Sequence, residues 1–179
     1  VAYQMLVSKS SATASSLQYE FRMRYGSIQG MLSNGTTFYS AIADGVQVGV
    51  WQHVAMTVSA SGQIKMYLNG QLGTQSGQFV GTRVTSNNPC LIGARMEGSI
   101  ANRLYKGAID EVSIYDRDLS LAEIQQIIED QSQNDESTGD LLAWLKLDDY
   151  TAEMVVEDSS GQGNYGLAQR MTSVVATQG

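Results

Sequence analysis

At 179 residues the chain is long enough to bury a sizeable core within one domain of ordinary size. Its 42% hydrophobic and 16% charged residues, with 18 glycines and one proline, exclude an intrinsically disordered chain. A net charge of −7 without any Lys/Arg cluster excludes a phosphate-neutralising nucleic-acid surface; it fits cation binding, high-salt solubility or neutral ligands such as glycans.

Cys90 is the single cysteine, so no internal disulfide is possible. No apolar run approaches the roughly 18 residues of a membrane span, and insertion is not expected. The sequence opens Val-Ala-Tyr with neither an initiator Met nor a signal peptide, as expected of a processed product or a piece of something longer.

The first 118 residues predict a succession of strands. A short apolar run occupies 4–9. Residues 17–25 alternate strictly, with Leu17, Tyr19, Phe21, Met23 and Tyr25 on one face. Gln18, Glu20, Arg22 and Arg24 take the other, which is expected to be wet. Strands at 28–32 and 37–42 flank Asn34-Gly35, a two-residue hairpin signal preferred here over its match to a glycosylation sequon. Residues 51–75 predict two longer strands joined at Ser61-Gly62, then a second Asn-Gly turn at Asn69-Gly70. A short strand follows around 91–95.

From Ala108 the chain alternates again, with both faces largely apolar, as suits a central strand covered on both sides. Asp110 and Glu111 sit inside that strand, where carboxylates are costly to bury unless a cation or donors meet them. The period then changes. Ser120 and Glu123 form a capping box, and Leu121, Ile124, Ile127 and Ile128 fall on one helical stripe. Polar residues 132–140 predict a linker, after which the strand pattern resumes at 141–149, followed by the Gly-rich 155–169. Short strands, Gly-bearing turns and one late helix give the fold class: an all-β, antiparallel two-sheet β-sandwich with a single short helix near 120–130.

Three stretches resemble the laminin G-like, concanavalin A-type jelly-roll superfamily of bacterial surface proteins: WQHVAMTV…IKMYLNGQL (51–72), LIGARMEG…YKGAIDEVSIYDRDLSLAEI (91–124) and LLAWLKLDD…VVEDSSGQGNYGL (141–167). In that family the third stretch comes first. The resemblance therefore implies a main body, 1–131, without its usual first strands, and a segment, 141–179, that either completes the sandwich in its own or a neighbouring chain or starts a next module. The apolar 141–147 is expected to pair beside 109–115.

The resemblance also implies a structural calcium, held by Asp158 of the DSSGQGN loop and by Asp110, with Asn164 beside them. Calcium takes six to eight oxygen ligands, and this acidic, Gly-rich loop offers carboxylates, hydroxyls and free carbonyls. Tyr39, Tyr105 and Tyr165, near loops or strand ends, are the candidates for ligand stacking. Trp51 and Trp144 are expected in the core, Cys90 in a half-buried strand, and the lone His53 in a packing role. No catalytic residue is assigned. Sandwich glycosidases place two carboxylates two residues apart on one strand, about 5 Å from each other, whereas Ala108 and Val112 flank Asp110. The expected function is a non-catalytic, extracellular or cell-surface module in adhesion or substrate targeting, binding carbohydrate or a surface protein. The alternatives are a structural subunit assembling with neighbouring copies by strand exchange and, third, a glycoside hydrolase.

Overall fold

The structure, a computed structural model, describes residues 3–11, 13–130, 140–148 and 154–168. The chain divides into two compact units, residues 1–108 with 117–134, and residues 109–116 with 135–179.

The first unit holds a five-stranded antiparallel sheet in the order β4-β3-β2-β1-β9. Its strands are β1 (Gln4–Lys9), β2 (Tyr19–Arg24), β3 (Ser27–Ser33), β4 (Phe38–Asp44) and β9 (Leu91–Ile92). A second sheet joins β5 (Val54–Val58), β6 (Gln63–Leu68) and β7 (Gln71–Leu72), with β8 (Gly77–Gln78) paired to β6. A hairpin of β10 (Arg95–Glu97) and β11 (Ile100–Asn102) follows, and α1 (Leu121–Asp130) ends the unit.

Register explains how the two sheets meet. Phe21, Gly30 and Ala41 lie opposite one another across β2, β3 and β4 and so share a face. A Cβ at Gly30 would collide with the sulfurs of Met56 and Met66, which project from the facing sheet. Glycine is what permits this close approach. Ile64, Met66 and Ala41 are fully buried in the resulting core, giving the expected antiparallel β-sandwich.

Local signals fold as their chemistry dictates. Asn69 and Gly70 both take positive φ, 50° and 70°, and connect β6 directly to β7 as a two-residue turn. Asn34-Gly35 instead sits in a four-residue connection, because the Asn34 carboxamide oxygen accepts the N–H groups of Thr36 and Thr37 and closes an Asx turn. The Ser120 N–H donates to Glu123 at 2.6 Å and the Glu123 N–H donates to the Ser120 hydroxyl at 3.3 Å, a complete capping box at the start of α1. Ile124 of the helical stripe is buried, whereas Leu121 is exposed.

The second unit contains two antiparallel ladders. In one, β12 (Val112–Tyr115) pairs with β13 (Leu141–Leu145); in the other, β14 (Val155–Val156) pairs with β15 (Gly166–Leu167). Val112 lies opposite Leu145 and Ile114 opposite Ala143, so 141–145 does pair beside 112–115, within one chain. The strand expected from Ala108 is shorter than its alternation implies. Glu111 has φ 52°, a left-handed conformation that interrupts an extended backbone, and pairing begins only at Val112. All four residues of β12 are half-buried, and among the described residues β13 is its one ladder partner.

Candidate functional site

The acidic pair that stood out in the sequence lies before β12, not inside it. Asp110 and Glu111 are both exposed, so neither carries a desolvation cost. The Asp110 carboxylate accepts the Glu111 N–H at 3.1 Å, and the Glu111 carboxylate accepts the Trp144 indole N–H.

Asp158 and Asn164 do come together, through hydrogen bonds that close a loop. Asp158 Oδ1 accepts the N–H groups of Trp144 at 2.9 Å and Ser160 at 3.0 Å, and Oδ2 accepts that of Asn164 at 2.7 Å. Burial pushes the Asp158 carboxyl up, but the Ser160 side chain and these three amides outweigh it and hold the group below its usual range. The Asn164 side-chain NH2 donates to the Leu142 carbonyl at 2.7 Å, and the Ser160 hydroxyl donates to the same oxygen. Three of the roughly four lone-pair sites of the Asp158 carboxylate are thus engaged by amides. Among the described residues no group of three Asp, Glu, His or Cys side chains is placed to hold a metal. The hydrogen bonds as arranged close the loop.

The three tyrosines occupy different settings. Tyr39 is half-buried, accepts a hydrogen bond from the Asn34 side chain at 3.0 Å, and packs edge-on against Phe79 with ring centroids 5.1 Å apart. Tyr105 is half-buried, its N–H bonded to the Gly93 carbonyl and its ring lying where a Cβ on Gly107 would be. Tyr165 is exposed immediately after the DSSGQGN loop of the second unit.

The structure adds two features that the sequence did not suggest. Trp51 was expected in the core and is 66% exposed. It lies in the connection between β4 and β5, in which Val48 is 96% exposed and Val50 is exposed as well. The connection is ordered by hydrogen bonds: the Gln47 N–H donates to the Gln52 side chain at 2.7 Å, and the Val46 N–H donates to the Gly26 carbonyl at 2.9 Å. The second bond ties this connection to the β2–β3 turn, where Tyr25 is 65% exposed beneath the Arg24 guanidinium. Two exposed aromatics and two exposed valines thus sit on adjoining loops at one end of the first unit. Cys90 is likewise exposed and outside any strand, with the Tyr19 hydroxyl 3.3 Å from its sulfur.

The second feature is a buried ionic cluster. The face of β2 expected to be wet carries Glu20 at 0% exposure and Arg22 at 9%. Strand β10 brings Arg95 onto that face, and its guanidinium donates to Glu20 at 3.0 Å. Ser10 donates to the same oxygen at 2.7 Å, and Arg22 reaches the other at 3.4 Å. Arg22 continues to Gln29, which donates to Ser40 at 3.1 Å. Tyr3 lays its ring against the guanidiniums of Arg22, Arg103 and Arg95, with centroid distances of 4.3, 4.7 and 5.4 Å. Pairing with Glu20 and Glu97 is what makes burial of these charges tolerable, although Arg95 Nε is left without a partner. His53 is half-buried with Nδ1 unpartnered, and burial holds its imidazole below its ordinary value.

A laminin G-type family model, described as the concanavalin A-like lectin/glucanases superfamily, matches residues 2–125. No protein of curated function matches the chain. Among solved structures it is similar to an S-layer domain-containing protein from Clostridium thermocellum, with 22% identity and a TM-score of 0.40 over 61% of this chain and 55% of that one. The chain thus spans little more than half the length of that structure. No helix among the described residues is long and apolar enough to cross a membrane. With the family model covering more than two thirds of its length and an antiparallel sandwich in its first unit, the chain belongs to the concanavalin A-like lectin/glucanases superfamily.

Proposed function

We propose that the chain is a non-catalytic extracellular module that binds carbohydrate at the end of its first unit carrying Tyr25 and Trp51. The observation that carries this reading is the pair of exposed rings on two loops joined by the Val46–Gly26 hydrogen bond. Isolated apolar residues at a surface are ordinary, but a cluster of large ones marks a contact site. An indole offers an apolar face for the C–H groups of a sugar ring and an N–H at its edge for a hydroxyl. Arg24, the last residue of β2, lies over the Tyr25 ring, and Gln47 and Gln52 lie on the connection that carries Trp51.

A non-catalytic role is supported by the state of the carboxylates. Glu20 is sealed between arginines, while Asp110 and Glu111 are exposed, adjacent in sequence and bonded to other partners. Pairing of β13 with β12 inside one chain supports a binding module over an assembly that borrows this strand from a neighbour.

A glycan array probed with the purified chain and its Trp51→Ala variant tests the reading. The expected result is selective glycan binding that Trp51→Ala weakens at least about tenfold. Absence of binding to every glycan, or binding untouched by the substitution, would overturn it.

A further inference from the structure

We propose that Asn69 is a modification site: its side chain undergoes spontaneous deamidation, which converts the Asn69-Gly70 turn to aspartyl and isoaspartyl forms, while the fold protects the same dipeptide at Asn34-Gly35. An asparagine followed by glycine is the pair most open to this reaction, because the nucleophile is the backbone nitrogen of the next residue and glycine has no Cβ to hinder it. Position 70 favours glycine twice over, since its φ is 70° and a Cβ there would stand 3.1 Å from Gln125 Cγ. In the reaction a hydroxide takes the Gly70 N–H proton, the nitrogen bonds to Asn69 Cγ, and the Cγ–Nδ2 bond breaks as ammonia leaves with a proton from water. The five-membered succinimide then takes up one water. Opening at Cγ leaves an aspartyl residue, and opening at the main-chain carbonyl leaves an isoaspartyl one. Nothing is oxidised or reduced.

The two Asn-Gly pairs differ in how each reacting atom is held. Asn69 is exposed, and its Oδ1, where negative charge gathers as Gly70 attacks, accepts the His53 N–H at 2.9 Å. A donor already fixed at a developing oxyanion lowers the barrier. The leaving group, Asn69 Nδ2, and the Gly70 N–H make no hydrogen bond among the described residues. Asn34 is half-buried, and its Nδ2 donates to the Tyr39 hydroxyl at 3.0 Å and the Val80 carbonyl at 3.1 Å. The Gly35 N–H is spent on Ser33 Oγ at 3.0 Å. Reaction at Asn34 therefore breaks hydrogen bonds of both leaving group and nucleophile that have no counterpart at Asn69. Oδ1 alone does not separate the pairs, since that of Asn34 accepts the Thr36 and Thr37 amides. Gly70 is covered by Gln125, whose side chain donates to the Gly70 carbonyl at 3.2 Å, so base reaches the Gly70 N–H when that one side chain turns away. The two products act differently on the fold. An aspartyl side chain still accepts the His53 N–H, whereas an isoaspartyl link adds a backbone atom to a two-residue turn and displaces the groups that pair with His53.

Trypsin separates the two pairs for the test. Cleavage after Arg24, Lys65 and Arg83 places Asn34 in 25–65 and Asn69 in 66–83, each the only asparagine of its peptide. The purified chain is incubated at mildly alkaline pH, folded and, in parallel, unfolded in guanidinium chloride, then digested and followed by mass spectrometry with fragmentation that places the exchange of amide for acid. In the folded chain conversion at Asn69 should outrun that at Asn34 at least about tenfold, a factor that a few hydrogen bonds supply. In the unfolded chain the two rates should come together, because both are Asn-Gly pairs. Tyr39→Phe, which frees one bond of Asn34 Nδ2 and keeps the ring, should narrow the gap in the folded chain. The proposal is overturned if the folded chain converts Asn34 as fast as Asn69, or if 66–83 stays intact over the time in which the unfolded chain converts. A gap that survives unfolding, or one that Tyr39→Phe leaves unchanged, would also overturn it, by assigning the difference to sequence and not to the fold.

Discussion

Glu20 and Arg95, 75 residues apart in sequence, meet at 3.0 Å with Glu20 wholly shielded from solvent. The pair joins β2 to β10 and is the centre of a network that runs on to Arg22, Glu97 and Arg103. Removing one partner of a buried pair leaves an uncompensated charge and typically costs about 3–5 kcal/mol. Arg95→Met is expected to lose stability in that range, measured by urea unfolding. Replacing Glu20 as well, in the Glu20→Met/Arg95→Met double variant, should recover part of the loss, because it withdraws the stranded carboxylate. Additive losses in that cycle would show that the two charges are not coupled.

The second unit depends on residues beyond the polar run. Leu141, Ala143 and Leu145 of β13 are buried and lie along β12, and the Trp144 carbonyl accepts the Ser159 N–H at 2.8 Å. A chain cut after residue 140 leaves β12 with free ladder groups and uncovered apolar side chains, a template for association. Such a truncation is expected to aggregate, or to bind a hydrophobic dye and melt without a cooperative transition. A soluble, cooperatively melting truncation would mean that the first unit needs nothing from 141 onward.

What was legible in the sequence was local. Asn69-Gly70 and the Ser120–Glu123 box fold as their neighbours dictate, and alternation located most strands. The failures share a different cause. Glu20 and Arg22 follow the pattern of a wet face, and only Arg95, far along the chain, makes that face dry. Trp51 has the composition of a core residue, but its place on a connection between sheets leaves it exposed. The strand expected at 108–111 fails on one backbone angle, that of Glu111, which periodicity does not encode. At the candidate site, proximity of Asp158 to Asn164 was readable from the loop, whereas the direction of their hydrogen bonds was not.

Those hydrogen bonds give the third prediction. Asp158 organises its loop by accepting amides from both Trp144 and Asn164, so Asp158→Ala strands these donors and should cost about 1–3 kcal/mol. With three of the carboxylate's lone pairs already engaged by amides, millimolar calcium is expected to leave the melting temperature of the wild-type chain unchanged. A calcium-dependent rise in melting temperature that disappears in Asp158→Ala would show instead that the loop opens to a cation.

His53 gives the chain an acid sensitivity of known sign. Its backbone is fixed by Asn69, whose side chain accepts the His53 N–H at 2.9 Å and whose own N–H donates to the His53 carbonyl at 2.8 Å. The ring is therefore held where Nδ1 is buried without a partner, and burial sets its pKa below the ordinary 6.5. Below 6.5 the unfolded chain takes up a proton that the folded chain still refuses, so unfolding is favoured as the pH falls through 6.5 towards the folded value. The slope from this one group reaches at most about 1.4 kcal/mol per pH unit. Stability measured by denaturant between pH 7 and pH 5 should fall more steeply in the wild-type chain than in His53→Gln, which cannot titrate there. Other titrating groups contribute equally to both proteins and cancel in the difference. Parallel profiles for the two proteins would show that His53 is protonated as readily in the folded chain as in the unfolded one.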